Sequence, residues 1–290
     1  MDFPKKTNLF GRVFTFFEEE KWLAFTGLLG FLLGIVCAIF IGIYGAIINP
    51  EGDLSKALSF NFALGLFLLT TAAILPFSGL TSKKRIFFRR SYILFSLYSY
   101  GIETIQHFRG INPRFSKQGH FLDAIFGSLF GLIAIAMILY YVVLAWKFFC
   151  SGSMNQHSIF ILSIRYGMIS TILAFVAGLW MIIIQDRFTG IHGNIIWLHG
   201  LGFHGLQAIP LIACFLHINH HSSKKTQRHL IHIAGFSWLM AVLLVGLQTI
   251  LGYSIFKLTT IMIICYGFLL LWSILFMLAF LIIFQKTKNN

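Results

Sequence analysis

Few ionisable side chains interrupt the apolar runs of this 290-residue sequence, so each one that does is informative. Glu103 is an acidic residue well inside such a run, where a carboxylate must be paired, protonated or in contact with water. Gln106, His107 and Arg109 follow it, and the segment GINPRFSKQGHFLD adds Arg114, His120 and Asp123. Later, HGNIIWLHGLGFHGLQAIP brings His199, His204 and Gln207 among Gly200, Gly202 and Gly205. On a helix the two histidines lie about 140° apart with Gln207 between them, spread over roughly 12 Å of axis. These residue types suit proton transfer and ligand binding. Glu103, His199 and His204 are the catalytic candidates, with Glu103 as proton acceptor. Gln106, Arg109, Arg114 and Gln207 are the substrate-binding candidates, a guanidinium gripping an anionic group. His199 and His204 could also hold a haem, a metal or a quinone, and the residues leave that choice open. Arg109 or a histidine of the later helix is the expected partner of Glu103.

Plainer roles compete. His199 and His204 could hydrogen-bond between helices, Glu103 could form a structural ion pair, and the glycines could serve packing alone. Asp186 and Arg187 fit a loop-orienting role at a helix exit. HINHH at 217–221 and HLIH at 229–232 contain i,i+3 histidines, but no cysteine is near. They read better as interfacial groups beside anionic headgroups than as a zinc site. Cys37, Cys150, Cys214 and Cys265 lie in or at the edge of apolar runs without CxxC spacing and read as small core residues. Walker, H-E-x-x-H and G-x-S-x-G motifs are absent from the sequence, as is a paired-aspartate prenyltransferase motif.

The elements that must position these residues are long apolar helices. The chain is 58% hydrophobic and only 11% charged, against about 25% charged in soluble domains. Apolar runs near 22–48, 58–80, 88–107, 121–146, 158–185, 194–217, 229–254 and 258–284 are each long enough to span a bilayer. The expected fold is an all-α, polytopic transmembrane bundle of about eight spans forming a single domain. The start of the chain lacks the order of a secretory signal, and the first run is too long for one. The net charge of +13 reflects basic loops rather than nucleic-acid binding. With the N-terminus inside, only Lys56, Arg109, Arg114, Lys117, Arg187 and Lys257 of the 22 basic residues fall outside. That bias predicts an N-in, C-in topology and puts the polar cluster in the exoplasmic half. Pro210 predicts a kink beneath the histidines. The expected partners are the lipid bilayer and a hydrophobic or anionic small molecule. A proton-linked transporter or channel, or an accessory role, is the alternative. The inner halves of spans three, five and six offer a transport path little polar lining beyond Arg165.

Spans three, five and seven end alike, as QHFRG, QDRFTG and QTILG, which suggests a duplicated helical hairpin. The segments ETIQHFRGINPRFS and LHGLGFHGLQAIPLIA resemble an uncharacterised family of bacterial multi-pass membrane proteins. The resemblance covers about residues 101–125 and 165–215. It implies a bacterial cytoplasmic (inner) membrane location and groups Glu103, Gln106, Arg109, Arg114, His199, His204 and Gln207 as one unit. It implies no activity. The H-E-x-x-H-R element of haem A synthase has no counterpart here.

Overall fold

The computed structural model describes residues 17–114, 116–150, 158–218 and 223–287. Its long helices are α1 (Lys21–Tyr44), α2 (Leu54–Ile74), α3 (Ser82–Phe108) and α4 (Phe121–Cys150), then α5 (Ser158–Ile184), α6 (Ile195–Ile218), α7 (Lys224–Ile250) and α8 (Thr260–Thr287). Two-residue strands β1 (Ile47–Ile48) and β2 (Gly52–Asp53) pair as a hairpin between α1 and α2. Strands β3 (Phe188–Thr189) and β4 (Gly193–Asn194) do the same between α5 and α6. Among the described residues, 7 helices are long and apolar enough to cross a membrane. α3 is equally long, with 27 residues, or about 40 Å. It is too polar for that set, because it opens with SKKRIFFRR and carries Glu103, Gln106 and His107 near its other end. The protein is an integral membrane protein of all-α class.

Several boundaries differ from the hydropathy runs for local reasons. α1 stops at Tyr44 because Gly45 turns the chain with φ 87°, so the apolar Ile47 and Ile48 belong to the hairpin. α3 begins at Ser82, because its basic first turns are helical despite their low hydropathy. α7 starts at Lys224, capped by the Ser223 hydroxyl, and ends at Ile250. α6 runs unbroken through Pro210. Cys37 and Cys265 are buried as expected, whereas Cys150 is exposed.

The chain divides into two compact units, 1–147 and 148–290. Each is built in the same order: helix, hairpin, helix, helix, loop, helix. The correspondence reaches individual bonds. The Leu54 N–H donates to Ala46 O at 2.8 Å in the first hairpin, and Ile195 N–H to Arg187 O at 2.8 Å in the second. The Glu51 N–H donates to Gly110 O at 2.8 Å, and His192 N–H to Gly252 O at 3.1 Å. Gly110 and Gly252 both adopt left-handed backbone, φ 75° and 74°, which glycine tolerates without steric cost.

The first helix pair of each unit also packs alike. A β-carbon on Gly27 would lie 2.9 Å from Gly65 O, and one on Gly65 would lie 2.7 Å from Gly27 O. In the second unit a β-carbon on Gly167 would sit 3.0 Å from Leu206 Cα. Small residues let these helix backbones touch. The repeat is therefore a four-helix unit rather than a hairpin. Gln106 matches Gln248, whereas Gln185 lies at a helix end leading into a hairpin.

Candidate functional site

In the first unit the helical spacing of Glu103, Gln106 and His107 turns all three inward, and all are buried. The β1–β2 hairpin closes over the end of α3, with the Asp53 N–H donating to His107 Nδ1 at 3.1 Å. That bond leaves the ring proton on Nε2, which lies 3.5 Å from Glu103 Oε1. Asp53 also caps α2 through its side chain, accepting from Ser55 N–H at 3.0 Å.

The partner of Glu103 is Arg114, not Arg109. Arg114 Nε donates to Glu103 Oε2 at 3.2 Å and Nη2 to Oε1 at 2.7 Å. The loop makes this possible: an Asn112 side chain accepts Arg114 N–H at 3.0 Å and turns the chain back toward α3. The guanidinium lies over the rings of Phe60 and Phe130, 5.3 and 5.9 Å from their centroids. It stays 36% exposed, while Glu103 is fully buried. The Nε–Nη2 edge is engaged, so the Nη1 side of the fork points away from the carboxylate.

Arg109 instead joins a second group. Its Nη1 donates to Gln106 Oε1 and to Asp123 Oδ1, both at 2.7 Å, and Gln106 Nε2 donates to the same Asp123 oxygen at 2.9 Å. Asp123 Oδ2 accepts His120 N–H at 2.9 Å and starts α4. The sequence did not mark Glu51, yet it ties the loop to the hairpin. Its carboxylate accepts the Ser116 hydroxyl at 2.6 Å and Lys117 N–H at 2.8 Å. Burial pushes the Glu51 carboxyl up, but these hydrogen bonds outweigh it and hold it below the usual carboxylate range. Asn61, also unmarked, donates to Thr104 Oγ1 at 3.0 Å beside Glu103.

The second unit holds His199, His204 and Gln207 on α6. His199 is half-buried, its Nδ1 2.8 Å from Ala174 O and its ring edge-on to Phe203 at 4.8 Å. His204 is exposed and Gln207 half-buried, so the three have different surroundings. Toward the other end of the helices, His232 Nδ1 meets Tyr166 Oη at 2.9 Å, while His229 is exposed. His220 and His221 lie outside the described residues. Among the described residues no group of three or more His, Cys, Asp and Glu could hold a metal ion.

No family model, curated protein or solved structure matches the chain. Its two units can still be compared with each other. With Gln106 on Gln248 and Gly110 on Gly252, Glu103 corresponds to Val245, His107 to Thr249 and Arg109 to Leu251. The second joint closes without buried charge, its Lys257 being exposed. Gln248 Nε2 donates to Ser254 O at 3.0 Å, and the Thr259 hydroxyl donates to Gln248 Oε1 at 2.8 Å. The turn bonds are the same in both, Ile111 N–H to Gln106 O at 2.9 Å and Tyr253 N–H to Gln248 O at 3.2 Å. One architecture thus closes once with neutral side chains and once with buried charge.

Proposed function

We propose that this protein is a membrane-embedded enzyme or redox protein whose site is the charged joint of the first unit. Its ligand is a small, membrane-soluble molecule with an anionic or carbonyl head group, a quinone being one example. The observation that carries this reading is the neutral joint of the second unit. Buried charge is costly, and the second joint shows that the architecture does not require it.

In this reading the free edge of Arg114 grips the head group, and Phe60 and Phe130 flank its apolar body. Glu103 is the proton acceptor, and His107 orients its carboxylate, because its Nε2–H faces Glu103 while its Nδ1 is held by the Asp53 N–H. Gln106 and Arg109 shape the rim through Asp123. His199 and Gln207 remain secondary candidates; donation from Nδ1–H to Ala174 O makes Nε2 the basic atom of the His199 ring. The basic-residue bias supports an N-in, C-in orientation, which faces the site to the exoplasm, and a bacterial cytoplasmic membrane as its home.

Mild extraction followed by mass spectrometry and absorption spectroscopy of one sample tests the reading. A near-stoichiometric anionic or carbonyl compound supports it, and a haem band or bound metal would redirect it to α6. A proton-linked transporter is the second reading, favoured by the internal repeat, since many transporters consist of repeated halves. Proton flux by the purified protein in vesicles, with no electron donor present, would select it.

A further inference from the structure

Far from the charged joint, where α1 begins, the first unit carries an open groove of about 360 Å³ lined by Trp22, Phe25, Thr26, Leu29, Ile93 and Leu97. The residues follow helical spacing, with Trp22, Phe25, Thr26 and Leu29 along one stripe of α1 and Ile93 and Leu97 along α3. The lining is apolar, because the Thr26 hydroxyl is committed to Trp22 O at 2.9 Å on its own helix. A groove of this shape takes a hydrocarbon chain.

The mouth of the groove is basic. Arg89 and Arg90 precede Ile93 by one helical turn, and Lys21 adjoins Trp22, its Nζ 6.0 Å from the ring centroid. Two of the nearby cations are already used. Arg85 pairs with Glu19 at 2.7 Å and Glu20 at 3.1 Å, and Arg89 with Glu20 at 3.2 Å. Lys21 and Arg90 are exposed and make no ion pair among the described residues. Trp22, 61% exposed, is the residue type that marks the headgroup level of a bilayer.

We propose that this groove seats an acyl chain of an anionic phospholipid, whose phosphate lies against Arg90 and Lys21. Charge complementarity selects the headgroup: two unpaired cations attract an anionic lipid and give a zwitterionic one little net advantage. Of the acidic residues nearby, Glu19 and Glu20 are held by Arg85 and Arg89, and the exposed Glu18 sets one negative charge against the two positive charges of Lys21 and Arg90.

Native mass spectrometry of the delipidated full-length protein, titrated in parallel with dioleoylphosphatidylglycerol and dioleoylphosphatidylcholine, tests the proposal. The first bound phosphatidylglycerol should be preferred by about tenfold or more. The Lys21→Gln/Arg90→Gln variant should reduce that preference to within about twofold, and Leu97→Trp, which fills the groove, should weaken retention of both lipids. Equal retention of the two lipids by the wild type would overturn the proposal. So would an undiminished preference in the double variant, which would place the anionic lipid elsewhere.

Discussion

Arg114 closes two parallel hydrogen bonds on the carboxylate of Glu103, at 3.2 and 2.7 Å, from a loop 11 residues further along the chain. The pair joins a fully buried anion to a partly exposed cation, and that asymmetry shapes the first prediction. Arg114→Leu should destabilise the protein by about 3–5 kcal/mol, because it strands a buried carboxylate. Glu103→Val/Arg114→Leu should recover most of that loss, since an apolar pair can replace a buried ion pair at little cost. Thermal unfolding in detergent measures both, and a double variant no more stable than Arg114→Leu would count against the ion-pair account.

Which residues pair was not legible in the sequence, and the reason is geometric. Arg109 is the nearest arginine to Glu103 in sequence, but the Asn112 turn folds Arg114 back onto the carboxylate and leaves Arg109 to Asp123. The helices were legible from hydropathy, as in α4, expected at 121–146 and found at Phe121–Cys150. The hairpins were not, because two-residue strands leave no periodic pattern and Ile47–Ile48 continue an apolar run. Of this repeat the sequence showed only the Gln–Gly pairs, Gln106 with Gly110 and Gln248 with Gly252, since the ionisable Glu103, His107 and Arg109 have the neutral counterparts Val245, Thr249 and Leu251.

Acid should loosen the loop through Glu51. Its hydrogen bonds hold its carboxyl below the usual range, so their stabilisation is complete above the unfolded value of about 4.3 and is lost as pH falls through the lowered folded value. Hydrogen exchange at the Lys117 amide, corrected for intrinsic pH effects, should accelerate on acidification in the wild type. In Glu51→Gln the amide should exchange faster at neutral pH and show little further change. Equal protection in both proteins at neutral pH would remove Glu51 from the account.

The left-handed turns should be equally sensitive in both units. A β-carbon on Gly110 would collide with Asn49 O, and one on Gly252 would lie 2.9 Å from Gly190 Cα. Gly110→Ala and Gly252→Ala should each cost about 1–3 kcal/mol, from the backbone conformation together with the close contact. Chemical unfolding in mixed micelles would show it. A neutral effect at either position would contradict the shared joint.

The proposed N-in, C-in orientation rests on the placement of basic residues. Reporter fusions after Lys84 and Arg228 should report the cytoplasm, and fusions after Lys117 the exoplasm. A cytoplasmic signal after Lys117 would invert the topology and turn the charged joint toward the cell interior.

The central claim is that the charge of the first joint serves a ligand rather than the fold. The most direct measurement compares the small molecules that co-purify with wild type and with Glu103→Val/Arg114→Leu, by mass spectrometry at equal amounts of folded protein. The account predicts a near-stoichiometric anionic or carbonyl compound on the wild type, and its loss from a variant of nearly unchanged folded yield. The same compound on both proteins, or none enriched on the wild type, would contradict it.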